Sequence, residues 1–179
     1  MNGYETVTEL CMGTVVTQMV HGKRGKKALS AVSRELRRME AQLSFHSPSS
    51  QVAKLNDAAG TRPVKVGPDL LVLLERSKEL AGLTGGVFDV TVGPLVREWA
   101  ACLKSGAIPA PSRIETLLTL VNAQDIEIDD RRRTAFLPKR GQSVDLGGIA
   151  KGYAADRAIQ VYRDLGITSA VVDLGGNVF

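Results

Sequence analysis

Apolar and polar positions repeat with two different periods along the chain, and the changes of period divide it into elements. Residues 5 to 20 are rich in Thr and Val and are interrupted at Met12-Gly13-Thr14. That pattern predicts strand, glycine-bearing interruption, strand, ending at His21-Gly22. From Leu29 the period lengthens. Leu29, Val32, Leu36, Met39 and Leu43 recur every three or four residues among Arg, Glu and Ser, as in a helix that buries one stripe. A polar loop, Ser44 to Ser50, leads into Gln51 to Asn56, and Pro63 to Val66 has the look of a short strand. Pro68-Asp69 opens a second helix, Leu70 to about Leu83, which Gly85-Gly86 ends. Ser112 and Glu115 have the spacing of a capping box at the head of a third helix through Val121. Ile126 to Asp129 and Thr134 to Leu137 fit a hairpin across an Asp-Arg turn. A fourth helix is expected from about Ile149 to Leu165, stopped by Gly166. Thr168 to Leu174 is an apolar strand of the kind found inside a sheet.

Strands and helices interleave without a strict β-α-β repeat. This predicts an α+β fold, a mixed sheet covered by helices, in a single domain over residues 1–179. Gly175-Gly176-Asn177-Val178-Phe179 follow directly on a strand of interior type. That ending leads us to expect a domain completed by a C-terminal portion outside this sequence, or by a partner segment.

Composition narrows the function classes. At 44% hydrophobic and 23% charged, the 179 residues read as a globular chain, and with only 4% aromatics its core must rest on Val, Leu, Ile and Ala. No apolar run approaches the roughly 20 residues of a membrane span. The net charge of +4 gathers at Lys23, Arg24, Lys26 and Lys27, and at Arg131, Arg132, Arg133, Lys139 and Arg140. Neither cluster is interleaved with stacking aromatics or belongs to a nucleic-acid motif, so solvated turns and helix ends are expected and nucleic acid is not. Cys11 and Cys102 are too few for a disulfide framework and lack metal-ligand spacing, which leaves them as buried thiols. The N-terminus has no basic stretch followed by an apolar segment. A cytoplasmic protein is therefore expected, or an envelope protein whose export signal was removed.

Four short segments combine glycine with a hydroxyl or carboxylate: Met12-Gly13-Thr14, the stretch Gly85 to Leu95, the stretch Asp145 to Tyr153, and Asp173 to Asn177. At Asp145 a strand is expected to end in a carboxylate, with Gly147-Gly148 and then a helix bearing Lys151. Open N–H groups at a helix start and a nearby ammonium suit a phosphate, though a plain strand-to-helix turn would use the same residues. Asp89 and Thr91 alternate with Phe88, Val90 and Val92, which would set both polar side chains on one face of an extended segment; the alternative is an Asx turn. Gly175-Gly176 is most simply a turn.

In chain order these are Met-Gly-Thr at 12–14, two serines leading to Leu55-Asn56, Phe88-Asp89 through Gly93-Pro94-Leu95 with Trp99 beyond, Asp145-Leu146-Gly147-Gly148-Ile149-Ala150-Lys151-Gly152-Tyr153, and Leu174-Gly175-Gly176-Asn177. The series resembles the FAD:protein FMN transferase (ApbE) family from about Met12 to the last residue. The resemblance implies an enzyme that binds FAD and moves its FMN portion onto a Thr of a target flavoprotein, releasing AMP, with Mg²⁺ on the pyrophosphate. It implies that Met12 lies against the cofactor, that Val87, Phe88 and Asp89 line the adenosine, that Asp145 hydrogen-bonds the cofactor, and that Lys151 sits near its phosphates. It places the Gly148 carbonyl where the family supplies a metal ligand, and His46 where the family usually has a Tyr, so flavin contact there would be altered. The family's other metal ligands, an Asp and a Thr, and a His proposed as base, correspond to positions beyond Phe179. The resemblance therefore implies weak or no transfer by these residues alone, with a non-catalytic FAD- or nucleotide-binding module, or an incomplete subunit, as the alternative.

Overall fold

Met12 and Gly13 both adopt positive φ, 55° and 71°. Two successive residues in that region form the tight turn whose twist matches paired strands. It joins β1 (Tyr4–Cys11) to β2 (Thr14–His21) in an antiparallel ladder with Cys11 opposite Thr14 and Tyr4 opposite His21. The expected strand–turn–strand is present in this computed structural model, which describes residues 3–179.

The contacts of the chain gather into two compact units: residues up to Gln42 together with Ile149–Phe179, and the contiguous stretch Leu43–Gly148. In the first unit, β6 (Ser169–Leu174) pairs antiparallel with β2, and β7 (Asn177–Val178) pairs with β6, giving the order β1-β2-β6-β7. The apolar strand expected inside a sheet is thus an interior strand. Two helices complete the unit, α1 (Gly25–Leu43), whose last residue falls to the second unit, and α6 (Ala150–Asp164). All five residues of the predicted α1 stripe are buried, as are Ala154, Ala155, Ala158 and Tyr162 of α6 and Val16, Val20, Val172 and Leu174 of the sheet. A buried polar chain runs through this core: Tyr162 Oη donates to Gln18 Oε1 at 2.6 Å, and Gln18 Nε2 donates to Ser33 Oγ at 3.0 Å. Alternate residues of the strands, Leu10, Val15, Met19, Val171 and Val178, are exposed apolar side chains.

The second unit is mostly helical. It contains α2 (Gln51–Asp57), β3 (Val64–Lys65), α3 (Pro68–Leu83), α4 (Gly93–Ser105), α5 (Pro111–Leu118), a single 3-10 turn (Ala123–Asp125), β4 (Glu127–Asp129) and β5 (Thr134–Phe136). The three strands form an antiparallel sheet, order β3-β5-β4, so the predicted hairpin is β4–β5. Leu55, Leu70, Leu73, Leu74, Ile126, Leu137 and Leu146 are its largest buried apolar side chains. The fold is α+β, with its strands divided between these two antiparallel sheets.

Three local expectations are corrected. No capping box forms at Ser112: the N-cap lies two residues earlier, at Ala110, with no side-chain cap bond, because Pro111 presets the helical φ at the first position. The helix α4 was not expected, although Leu95, Trp99 and Cys102 recur at helical spacing behind Pro94; only Gly93 and Pro94 of its thirteen residues are buried, so that stripe is not a core stripe. Before Asp145 there is no strand, only a single parallel bridge between Ser143 and Val92. Asn56 explains why: its amide donates to the Val144 carbonyl at 3.0 Å and accepts from the Val144 N–H at 2.8 Å, occupying the groups a neighbouring strand would have used.

The basic clusters lie where expected. Lys23, Arg24, Lys26 and Lys27 are exposed at the entry to α1, and Arg131, Arg132, Arg133, Lys139 and Arg140 are exposed in and after the β4–β5 turn. Cys11 is buried and Cys102 only half-buried. Among the described residues no helix is long and apolar enough to cross a membrane.

Candidate functional site

The motif loops of the second unit start from the end of α3. Gly85 and Gly86 take φ of 61° and 82°, and the Gly86 N–H returns to the Ala81 carbonyl at 2.8 Å. Only glycine enters that region without strain. Thr84 Oγ1 accepts the Phe88 N–H at 3.1 Å, which sets the direction of the next residues. Val87 sits at the apex, 92% exposed, and Phe88 and Asp89 are half-buried.

Residues 89 to 91 then form an Asx turn, not an extended segment with one polar face. Asp89 Oδ1 accepts the Thr91 N–H at 2.7 Å and also the Thr91 hydroxyl. Its other oxygen, Oδ2, accepts the Ala123 N–H at 2.7 Å, and Thr91 Oγ1 accepts the Asn122 N–H at 2.8 Å. Val90 and Thr91 are both buried, which a strict alternation forbids. A carboxylate that accepts three such bonds is a clamp on the main chain.

A second loop lies against the first. The Asp145 N–H donates to the Val90 carbonyl at 2.7 Å, and the Gly93 N–H to the Ser143 carbonyl at 3.2 Å. Gly93 is required by that approach, since a Cβ there would lie 2.4 Å from Ser143 Oγ. Asp145 Oδ1 accepts the Gly147 N–H at 2.8 Å, turning the chain so that Gly147 and Gly148 are exposed. A Cβ on Gly148 would lie 3.1 Å from Cε2 of Phe88, so the ring rests against this glycine. Val87, Phe88, Asp89, Asp145 and Gly148, separated by more than fifty residues, are therefore brought together.

His46 is exposed on the loop before α2. That loop is ordered by its serines: Ser44 Oγ accepts the N–H of His46 at 3.2 Å and of Ser47 at 3.1 Å, while Ser50 Oγ donates to the Ser44 carbonyl at 2.7 Å. The His46 ring meets Phe45 edge-on, with centroids 5.4 Å apart, and the Arg97 guanidinium lies 5.0 Å from the Phe45 centroid.

The first unit holds the other motif residues. The Met12 N–H donates to Glu40 Oε1 at 2.8 Å, and the Cys11 thiol donates to Glu40 Oε2 at 3.5 Å. Burial, and then the Glu40 charge, push the Cys11 thiol up to about 12, so it stays protonated. The Gly175-Gly176 turn closes the β6–β7 hairpin, with Asp173 Oδ1 accepting the Gly176 N–H at 2.7 Å, the simple turn that was expected. A Cβ on Gly175 would lie 2.2 Å from Thr14 Oγ1, so two motif turns meet here. Lys151 is half-buried in the first turn of α6, a helix whose start has no side-chain cap.

Sequence reasoning gave no role to Asn56, although Leu55-Asn56 stood within the motif series, and it missed Glu40. Their partners lie 88 and 28 residues away, beyond the reach of any local pattern. For a metal the arrangement is incomplete. The exposed Gly148 main chain could offer one hard oxygen, but among the described residues no three His, Cys, Asp or Glu side chains converge, so they do not form a metal centre by themselves.

Comparison with known proteins agrees with the fold. The chain is 34% identical over 180 residues to an FAD:protein FMN transferase of Treponema pallidum, a match covering 96% of this chain and 50% of that protein. It is 34% identical over 149 residues to one of Klebsiella pneumoniae, covering 83% and 47%. The chain spans about half the length of these curated relatives. The solved ApbE protein of Thermotoga maritima superposes with a TM-score of 0.89 at 30% identity, over 98% of this chain and 58% of that one. The flavin transferase ApbE of Vibrio cholerae superposes with a TM-score of 0.88 at 23% identity, which speaks for the fold alone. With residues 12–179 also matching the family's sequence profile, the chain belongs to the ApbE family.

Proposed function

We propose that this chain is the FAD-binding part of an FAD:protein FMN transferase, which moves FMN from FAD onto a Thr hydroxyl of a target flavoprotein and releases AMP. The observation that carries this reading is the convergence of Phe88 on Gly148 beside the Asp145 turn, in a member of this family. Val87 and Phe88 supply apolar surface for a ring of the nucleotide. Gly147 and Gly148, lacking Cβ atoms, let a ligand approach the main chain. Asp145 uses Oδ1 for Gly147, leaving Oδ2 to accept from a ligand N–H or hydroxyl. Asp89 acts one step removed, since its oxygens hold the turn that presents Phe88.

Met12, His46 and Lys151 enter the proposal as cofactor contacts of edge, ring and phosphate respectively. An ammonium three residues after Gly148, at an uncapped helix start, suits an anionic group. Magnesium would neutralise the pyrophosphate and ease departure of AMP. The Gly148 carbonyl is the one ligand we assign to it here.

The test is to incubate the chain with FAD, Mg²⁺ and a flavoprotein fragment bearing the acceptor Thr. Intact mass follows FMN attachment while chromatography follows AMP. Attachment that vanishes in Asp145→Ala establishes the transferase. AMP without attachment replaces transfer by FAD hydrolysis. A second reading, a non-catalytic FAD-binding module, is favoured by the incomplete metal arrangement among the described residues. It predicts saturable quenching of FAD fluorescence, lost in Asp145→Ala, with neither product formed even by a chain extended through the family's C-terminal metal ligands. Attachment by the extended chain alone keeps the transferase reading.

A further inference from the structure

The outer edge of β1 is a feature the flavin reading does not use. β1 is eight residues long, contains no Pro, Gly or Lys, and among the described residues is the outermost strand of its sheet and pairs only with β2. Such an edge presents a row of N–H and C=O groups to any chain that can lie beside it, and native sheets usually blunt it with Lys, Pro or a bulge. Here the basic residues stand across from it, on a helix.

β1 and α1 run side by side in the same direction. At one end the Glu5 carboxyl group lies against Gly25, where a Cβ would meet Glu5 Cδ at 3.2 Å. At the other end Arg37 Nη2 donates to Glu9 Oε2 at 2.6 Å. Along this stretch the elements leave an open groove of about 610 Å³, walled by Val7, Thr8 and Glu9 on the strand and by Lys26, Arg34 and Arg37 among the helix residues, so its three cations face one carboxylate. Arg37 is already tied to Glu9. Lys26 and Arg34 are exposed.

The first turn of α1 carries no acidic residue, and Lys26 and Lys27 lie in it. The anion that the helix start favours is supplied from β1 by Glu5, whose carboxyl lies against Gly25, so it is the exposed Lys26 and Arg34 that call for an acidic partner. The spacing also matches. Lys26 and Arg34 are eight helical residues apart, roughly 12 Å along the axis. Two side chains four residues apart on one face of a strand are separated by roughly 13 Å.

We propose that this groove binds an extended acidic segment of a partner protein, which adds to β1 as a fifth strand and sets two carboxylates four residues apart against Lys26 and Arg34. Main-chain bonds to β1 give the affinity, and the two basic side chains give the selectivity. This binding is independent of FAD.

The probe is a blocked, fluorescein-labelled ten-residue peptide of alternating Val and Thr with Glu at two positions four apart. Its anisotropy is read against this chain at 50 and 300 mM salt. The expected result is saturable binding that weakens at least tenfold in the Lys26→Glu/Arg34→Glu double variant, and likewise when the peptide's Glu residues become Lys. Both substituted side chains are exposed, and circular dichroism confirms that the variant folds. Amide hydrogen exchange of β1 should slow with the peptide and not with an N-methylated version. Absence of binding, equal binding by the charge-reversed variant, or unchanged β1 exchange overturns the proposal. So does a dimer of this chain, seen by sedimentation, that protects β1 without peptide, since the occupant would then be a second copy.

Discussion

In the first unit the motif turns close hairpins: Met12-Gly13 between β1 and β2, and Gly175-Gly176 between β6 and β7. Most of their neighbours' main-chain groups are satisfied by the strand ladders. In the second unit the motif loops, residues 84–92 and 143–148, have no ladder beyond one isolated bridge, and side chains of Asn56, Asp89 and Thr91 take its place. The two ways of holding a loop fail differently. A ladder shares its load over many bonds, whereas a single buried amide that pairs both polar groups of one residue has no substitute.

The largest effect expected from this difference is at Asn56. Replacing it with Ala leaves the Val144 N–H and C=O buried and unpaired, which costs roughly 2–4 kcal/mol. Urea unfolding should show that loss, and hydrogen exchange should place it in residues 143–148 while the β2–β6 ladder stays protected. Equal loosening of both units would break the comparison. The counterpart in the first unit is smaller. Tyr162→Phe removes one buried bond to Gln18 and leaves its Oε1 unpaired, about 1–2 kcal/mol, with no change at residues 143–148.

The smallest expected effect is on acid stability. Burial acts to raise Glu9, but bonds from Ser33, Arg37 and Gln18 outweigh it and hold its carboxyl below the ordinary 4.5. Glu35 is held down first by its bond from Arg38, against burial and with help from Arg157. Groups lowered on folding stabilise the native state above their unfolded pKa and lose that contribution as pH falls through the folded value. Their arginine partners are well exposed, 66% for Arg37 and 39% for Arg38, so each carboxylate contributes under about 1 kcal/mol. Between pH 5 and 3, protection against amide exchange, taken relative to the intrinsic rate at each pH, should fall in α1 and β1 before it does in α3. Simultaneous loosening of α3 would count against the assignment.

Much of the first unit was legible in the sequence because its information is local. The Thr and Val of residues 5–20 gave both strands, the spacing from Leu29 to Leu43 gave α1, and glycines marked the turns. The second unit was legible only in part. α3 announces itself through Pro68 and Gly85-Gly86, but α4 does not, because its start at Gly93-Pro94-Leu95 reads as part of the preceding glycine-bearing stretch. The candidate site was readable as a set of residues and not as a geometry. Whether Asp89 sits on a strand face or in a turn depends on Ala123, thirty-four residues away, which no pattern around Asp89 reports.

The pairing of β2 with β6 also has a consequence for the order of events as the chain is made. Leu43–Gly148 is one continuous stretch and can gather its core as soon as it has left the ribosome. The first unit cannot. Gln18 must wait for Tyr162, 144 residues later, and closing so long a loop costs on the order of 4 kcal/mol in chain entropy before any contact rewards it. Until β6 emerges, β1 and β2 are a lone hairpin with apolar residues on both faces, the species a holdase chaperone would be expected to grip.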